Sequence, residues 1–139
     1  LLCIFSAFQL IKILTAESQK NLKIYSLIKN FYTFLEKENW IKNYIFWELE
    51  FFKVIGYDLE LKNLVKKELI NNEVKYFVKS TKENKIVPNF LIDNNQDFLN
   101  EEILIDGLRL VGEYLEKSIL RPNNINYPLS RLRFLNTFK

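Results

Sequence analysis

The chain has 139 residues, 48% hydrophobic and 27% charged, with three Gly and three Pro. These values suit one folded domain with a core and argue against a turn-rich β fold or long flexible linkers. It has no His and one Cys, Cys3. That leaves too few ligands for a zinc site and no partner for an intrachain disulfide, and it points to a reducing compartment. The net charge of +3 is too small to imply a nucleic-acid partner by itself.

Residues 1–14 read LLCIFSAFQLIKIL. The run is shorter than the roughly 20 apolar residues of a membrane span, Lys12 interrupts it, and it lacks the basic start and small-residue cleavage site of a signal peptide. It is predicted to be a buried core helix ending near Thr15. Asn21 is a candidate cap for a second helix reaching about Lys37, with Leu22, Tyr25, Ile28 and Tyr32 at helical spacing. Asn39 is a candidate cap for a third, over 40–55. Its apolar residues run nearly all round, from Trp40 and Ile41 to Val54 and Ile55, so it is expected to be central and buried. Gly56 is placed to end it in a left-handed conformation.

Residues 57–100 differ. Val74 to Val78 forms a short β-like run and Lys85-Ile86-Val87 a second, with residues 80–84 as the turn and Pro88 either stopping the second strand or placing it on an edge. This stretch is expected to be a surface excursion. Asn100 then caps a fourth helix, with Glu101 and Glu102 suited to the helix dipole. Leu104, Leu108, Val111 and Leu115 line its apolar face. A last short helix begins near Pro128, with Leu129, Leu132 and Leu135 pointing one way and Arg131 and Lys139 outward. The fold class is therefore mainly α: a bundle of four to five helices with a small β-hairpin at about residues 74–87, one domain over 1–139.

Charge is unevenly placed. Residues 1–60 balance seven Lys against seven acidic groups, whereas residues 117–139 hold Lys117, Arg121, Arg131, Arg133 and Lys139 and no acidic residue. Arg presents a planar fork of donors suited to phosphate oxygens, so these five are candidate contacts for DNA or an acidic partner. The plain alternative is a solvated basic tail. The lysines Lys75, Lys79, Lys82 and Lys85 extend the cationic surface or are ordinary solvation. Arg109 is a weak candidate for a partner's acidic tail, with Glu113 at i+4 as its ordinary partner. Glu48 and Glu50 point apart on a helix and are no catalytic pair; Glu48 is expected at a groove or paired with a Lys. Tyr76 and Tyr127 are candidates for base stacking, with core packing as the default. With no His there is no catalytic triad, and no phosphate-binding loop occurs. No enzyme activity, cofactor, metal, membrane or small-molecule substrate is expected.

Two passages carry a family resemblance. One is Phe46-Trp47-Glu48-Leu49-Glu50-Phe51-Phe52, closed by Gly56-Tyr57 and Leu59. The other is Asp106-Gly107-Leu108-Arg109-Leu110-Val111-Gly112-Glu113-Tyr114-Leu115-Glu116, followed by Pro128-Leu129-Ser130-Arg131-Leu132-Arg133. In order and spacing, over about residues 1–135, they resemble the C-terminal helical part of RecO proteins of the alphaproteobacterial type. The order Pro128-Leu129 departs from the usual Leu-Pro of that ending. Leu64 stands near the place where relatives carry a Cys, so no zinc role is carried over. The resemblance implies a fragment lacking an N-terminal OB-fold domain, in keeping with a chain that starts at Leu1 and contains no Met. It implies a cytoplasmic, nucleoid-associated bacterial protein of DNA repair and recombination. Such a protein binds single- and double-stranded DNA, promotes annealing, and works with RecR and single-strand-binding protein. The other reading is a helical protein–protein adaptor that binds no DNA.

Overall fold

The computed structural model describes residues 2–15, 22–79, 85–93 and 99–138. It is mainly helical with a small antiparallel sheet. The chain divides into two compact units, Leu1–Leu59 with Val111–Lys139, and Glu60–Leu110.

The first unit begins with α1 (Leu2–Leu14), α2 (Leu22–Phe34) and α3 (Trp40–Val54). Cys3, Ala7 and Leu10 face inward from α1, Leu27, Phe31 and Phe34 from α2, and Tyr44, Ile45, Trp47, Phe51 and Phe52 from α3. Aromatic rings fill much of this core. Phe31 lies 5.1 Å from Phe34 and 5.3 Å from Trp47, and Trp47 stacks on Phe51 at 5.6 Å. Such offset and edge contacts add to plain area burial. The Trp47 indole donates to the Leu27 carbonyl at 2.9 Å and so ties α3 to α2.

Gly56 ends α3 as expected. Its φ of 102° permits the paired closing bonds of Gly56 N–H to the Lys53 carbonyl and Tyr57 N–H to the Phe52 carbonyl. Asn39 does not cap through its side chain; its carbonyl instead accepts from the Asn43 N–H. The proposed cap Asn21 lies outside the described residues.

In the second unit, α4 (Leu61–Leu64) leads into β1 (Val65–Ile70), β2 (Glu73–Val78) and β3 (Ile86–Val87), in the order β1-β2-β3. The β2–β3 pairing sets Tyr76 against Val87 and Phe77 against Ile86, as the hairpin reading has it; residues 80–84 lie outside the described residues. The strand β1 is an addition to that reading. Its burial is confined to Val65, so the sequence shows no period-two pattern there. A two-residue turn, Asn71-Asn72 with φ 54° and 65°, joins it to β2; Asn tolerates this left-handed geometry in tight hairpins.

Helix α5 (Glu101–Tyr114) carries the Asn100 cap: the Asn100 Oδ1 accepts from the Ile103 N–H at 2.8 Å. Its continuation, Leu115–Leu120, widens into a π-helical turn, followed by a tight turn Arg121–Asn123. Asn124, at φ 55°, closes it, with Ile125 N–H donating to the Leu120 carbonyl. The last helix, α6 (Leu129–Asn136), packs against α1. Pro128 has no side-chain acceptor to cap it, and the Gln9 side chain of α1 accepts from the Ser130 N–H instead, at 3.0 Å.

The face of α6 reverses the expected one. Arg131 and Phe134 are buried, while Leu129 and Leu132 are 53% and 44% exposed.

Candidate nucleic-acid and partner interface

Arg131 is fully buried, and so is Glu48. Arg131 Nε donates to Glu48 Oε2 at 2.8 Å and Nη2 to Oε1 at 2.7 Å, a two-pronged pair joining α6 to α3. Nη1 donates to the Tyr127 hydroxyl at 2.6 Å. The Tyr44 hydroxyl donates to Glu48 Oε2 at 2.9 Å, which leaves its oxygen to accept from Ser6, 2.7 Å away. Five side chains from α1, α3, α6 and the loop before α6 thus form one hydrogen-bonded network inside the first unit. Gly112 makes room for it: a Cβ there would stand 2.5 Å from Arg131 Nη1 and 3.0 Å from the Tyr127 hydroxyl.

The electrostatics follow from the burial. Loss of water alone would lower the Arg131 pKa, but the facing Glu48 carboxylate more than offsets this and the pKa is raised. Burial, reinforced by Glu48, holds the Tyr44 phenol well above its ordinary value. It also pushes the Cys3 thiol up to about 12. The Tyr127 phenol is raised too, chiefly by burial.

Two expectations are corrected here, for Arg131 and for Glu48, while Tyr76 and Tyr127 are half-buried, in keeping with packing as their default. Arg131 does not point outward: its guanidinium is engaged by Glu48 and Tyr127 in a space closed to solvent, so it presents no donor to a phosphate on the surface. Glu48 is neither at a groove nor paired with a Lys. Tyr127 spends its hydroxyl on Arg131, and Tyr76 is half-buried on β2. A side chain buried in apolar surroundings keeps its charge only if paired. The apolar flanks of Glu48 on α3 were the available signal that it needed a buried cation.

The other candidates lie at the surface. Lys117, Arg121 and Arg133 are exposed. Arg121 Nη2 sits 3.3 Å from Glu116 Oε1 with both side chains exposed to water, a pair of little strength. Lys139 and Lys82 lie outside the described residues. In the second unit Arg109 and Lys79 are exposed, and Lys75 and Lys85 are partly so.

Sequence reasoning missed a cleft between α2 and α3. One part, about 740 Å³, is bordered by Lys23, Asn30, Glu50 and Lys53. A second, about 450 Å³, shares Leu27, Asn30 and Glu50 with it and continues past Trp47 to Lys37. The cleft therefore has lysines towards both ends and a carboxylate midway.

No family model, no curated protein and no solved structure matches the chain. Among the described residues no helix is long and apolar enough to cross a membrane, and no three His, Cys, Asp or Glu side chains gather as metal ligands.

Proposed function

We propose that this chain is the helical, DNA- and partner-binding part of a RecO-type recombination mediator. It acts in the bacterial cytoplasm, associated with the nucleoid, with RecR and single-strand-binding protein, and has no catalytic step of its own. The supporting observation is the exposure of Lys117, Arg121 and Arg133 in a stretch, 117–139, that contains no acidic residue. Cations so placed attract a phosphate backbone, and each phosphate contact releases counterions. Arg131 supports the reading indirectly, by fixing the helix that carries Arg133. The test is the salt dependence of single-stranded DNA binding after Lys117, Arg121 and Arg133 are all changed to Ala. A shallower slope is expected; an unchanged slope sinks the phosphate assignment.

A second reading, the protein adaptor, draws on the α2–α3 cleft. Its lysines suit an acidic peptide better than Arg109 does alone, because Leu27 and Trp47 border the same space. Its central Glu50 disfavours a uniform chain of phosphates there.

A further inference from the structure

Three helices of the first unit share an outer surface that is apolar, cationic and free of carboxylates. On α1, Phe5, Phe8 and Lys12 are exposed and stand opposite the buried Cys3, Ala7 and Leu10. On one flank of that ridge Phe8 meets the Tyr32 ring of α2, with centroids 6.4 Å apart. On the other flank Gln9 accepts from the Ser130 N–H of α6. Helix α1 therefore lies between α2 and α6. The exposed stripe of α2 is Tyr25, Lys29 and Tyr32, at i, i+4 and i+7, turned away from the buried Leu27 and Phe31. That of α6 is Leu129, Leu132 and Arg133, opposite Arg131 and Phe134. The buried sides of all three helices meet α3, through Ser6 and Tyr44, Phe31 and Trp47, and Arg131 and Glu48. The three stripes consequently form the outer side of one layer.

Six large apolar side chains are exposed on that layer, and Phe5, Tyr25 and Tyr32 are 54%, 59% and 54% exposed. Exposed apolar patches rimmed by polar groups mark contact sites. The exposed charges of the stripes are Lys12, Lys29 and Arg133. Helices α1, α2 and α6 contain no Asp or Glu at all, and among the described residues neither Lys12 nor Lys29 forms an ion pair. The nearest acids along the chain from α1 and α2 are Glu17, outside the described residues, and Glu36 and Glu38 in the turn into α3.

This charge pattern selects the occupant. A second copy docked face to face brings only cations together, in every register, with no carboxylate on either side to offset them, and such juxtaposition is costly. An anionic occupant is matched instead. A single nucleic-acid strand uses a charged groove and rings on which its bases stack. Here the side chains stand on helix ridges, and the α6 share of the patch is aliphatic. An anionic bilayer takes Phe, Tyr and Leu alike into its headgroup boundary, while Lys and Arg stay at the lipid phosphates. No described helix is long and apolar enough to cross a membrane, so such contact lies on the surface.

We propose that the outer face of α2, α1 and α6 seats the chain on an anionic lipid bilayer. Phe5, Phe8, Tyr25 and Leu132 enter the headgroup boundary, and Lys12 and Lys29 meet lipid phosphates. This goes beyond the DNA reading and does not rest on it. Arg133 is common to both surfaces and stays unaltered in the test, so that failure here leaves the DNA assignment to its own experiment.

The full chain is sedimented with vesicles of phosphatidylcholine alone and of equal parts phosphatidylcholine and phosphatidylglycerol. Cosedimentation with the mixed vesicles only is expected, weakening as salt rises. A cation near an anionic leaflet contributes about fivefold, so Lys12→Gln with Lys29→Gln should weaken binding about 25-fold. Phe5→Ser with Tyr25→Ser should weaken it about tenfold or more, with the near-ultraviolet circular dichroism unchanged. If that spectrum changes, the lysine variant decides alone. The proposal is overturned if the mixed vesicles are not bound, if neutral vesicles are bound as well, or if binding survives either double change in a folded chain. It is also overturned if Phe5→Ser with Tyr25→Ser weakens a single-stranded oligonucleotide by the same factor, since a nucleic acid is then the occupant. Self-association that the same change abolishes overturns it in favour of a second copy.

Discussion

Arg131 and Glu48, 83 positions apart in the chain, meet as a fully buried two-pronged ion pair that joins the last helix to α3. Both carboxylate oxygens accept from the guanidinium. Tyr44 and Tyr127 take up one further acceptor and one further donor site. Removing two ions from water costs several kcal/mol each, and the mutual attraction repays that only when the geometry is good and the remaining groups are bonded. Here those conditions are met, which makes the pair a device for fixing α6 in one position.

Breaking the pair from one side should therefore be costly. Arg131→Ala is expected to destabilise the fold by about 3–5 kcal/mol, since it strands a buried carboxylate. The combined change Arg131→Met with Glu48→Leu should cost much less than the sum of the two single changes. Urea unfolding of Arg131→Met, Glu48→Leu and the combined variant, analysed as a double-mutant cycle, measures the coupling. Additive effects would mean the two side chains do not meet.

Gly112 offers an independent check on the same packing. Replacing a helix-interior Gly by Ala ordinarily stabilises by up to about 1 kcal/mol. At this position the new methyl group would stand 2.5 Å from Arg131 Nη1, an atom held in place by Tyr127 and unable to swing aside. Gly112→Ala should destabilise instead, by about 1–3 kcal/mol, the usual range for overpacking. Thermal unfolding monitored by circular dichroism reads the sign.

How much of this was legible in the sequence depends on whether a signal was local. Asn100 as a cap and Gly56 as a helix end follow from chemistry within a few residues, and both stand where the sequence puts them. The long helices follow from apolar spacing over many turns. Strand β1 was hidden because its side chains are exposed on both faces beyond Val65, so no alternation marks it. The orientation of α6 was hidden for another reason. Leu129, Leu132 and Leu135 make a better apolar stripe than Arg131 and Phe134, and only a carboxylate 83 residues away makes the arginine face the buried one. A helix of eight residues has too few turns for periodicity to outvote a single ion pair.

Cys3 and Tyr44 contribute to the response to alkali, beside Tyr114 and Tyr127, whose phenols burial also raises. The Cys3 thiol is pushed up to about 12 from an ordinary 9.0, chiefly by burial and further by Glu48, and the Tyr44 phenol is raised in the same direction. A group whose pKa is higher in the folded chain contributes stability that is complete below the unfolded value and is lost as pH rises through the folded one. Unfolding free energy should therefore fall between pH 9 and pH 12, and Cys3→Ala should flatten part of that fall. Native-state labelling of Cys3 by iodoacetamide should be slow at pH 9 and rise steeply once the chain is unfolded in urea. Fast labelling of the folded chain would contradict the burial of α1.

The two functional readings place their cations on different elements, and this makes them separable. Lys117, Arg121 and Arg133 follow α5 or lie on α6, whereas Lys23, Lys37 and Lys53 border the α2–α3 cleft. Each phosphate contact on a single strand adds about 0.7 to the slope of log affinity against log salt. Changing the first three cations to Ala should flatten that slope by up to about 2, and Lys53→Glu should leave it nearly unchanged if DNA does not use the cleft. For an acidic peptide the pattern inverts, with Lys53→Glu weakening binding several-fold and the triple change having little effect. Arg131 must stay intact in these comparisons. Its loss would unsettle α6 and move Arg133 with it, so a drop in DNA affinity would report folding rather than contact. A chain that binds the peptide through the cleft and shows no salt-sensitive DNA binding is an adaptor, and its exposed arginines are then ordinary solvated charge.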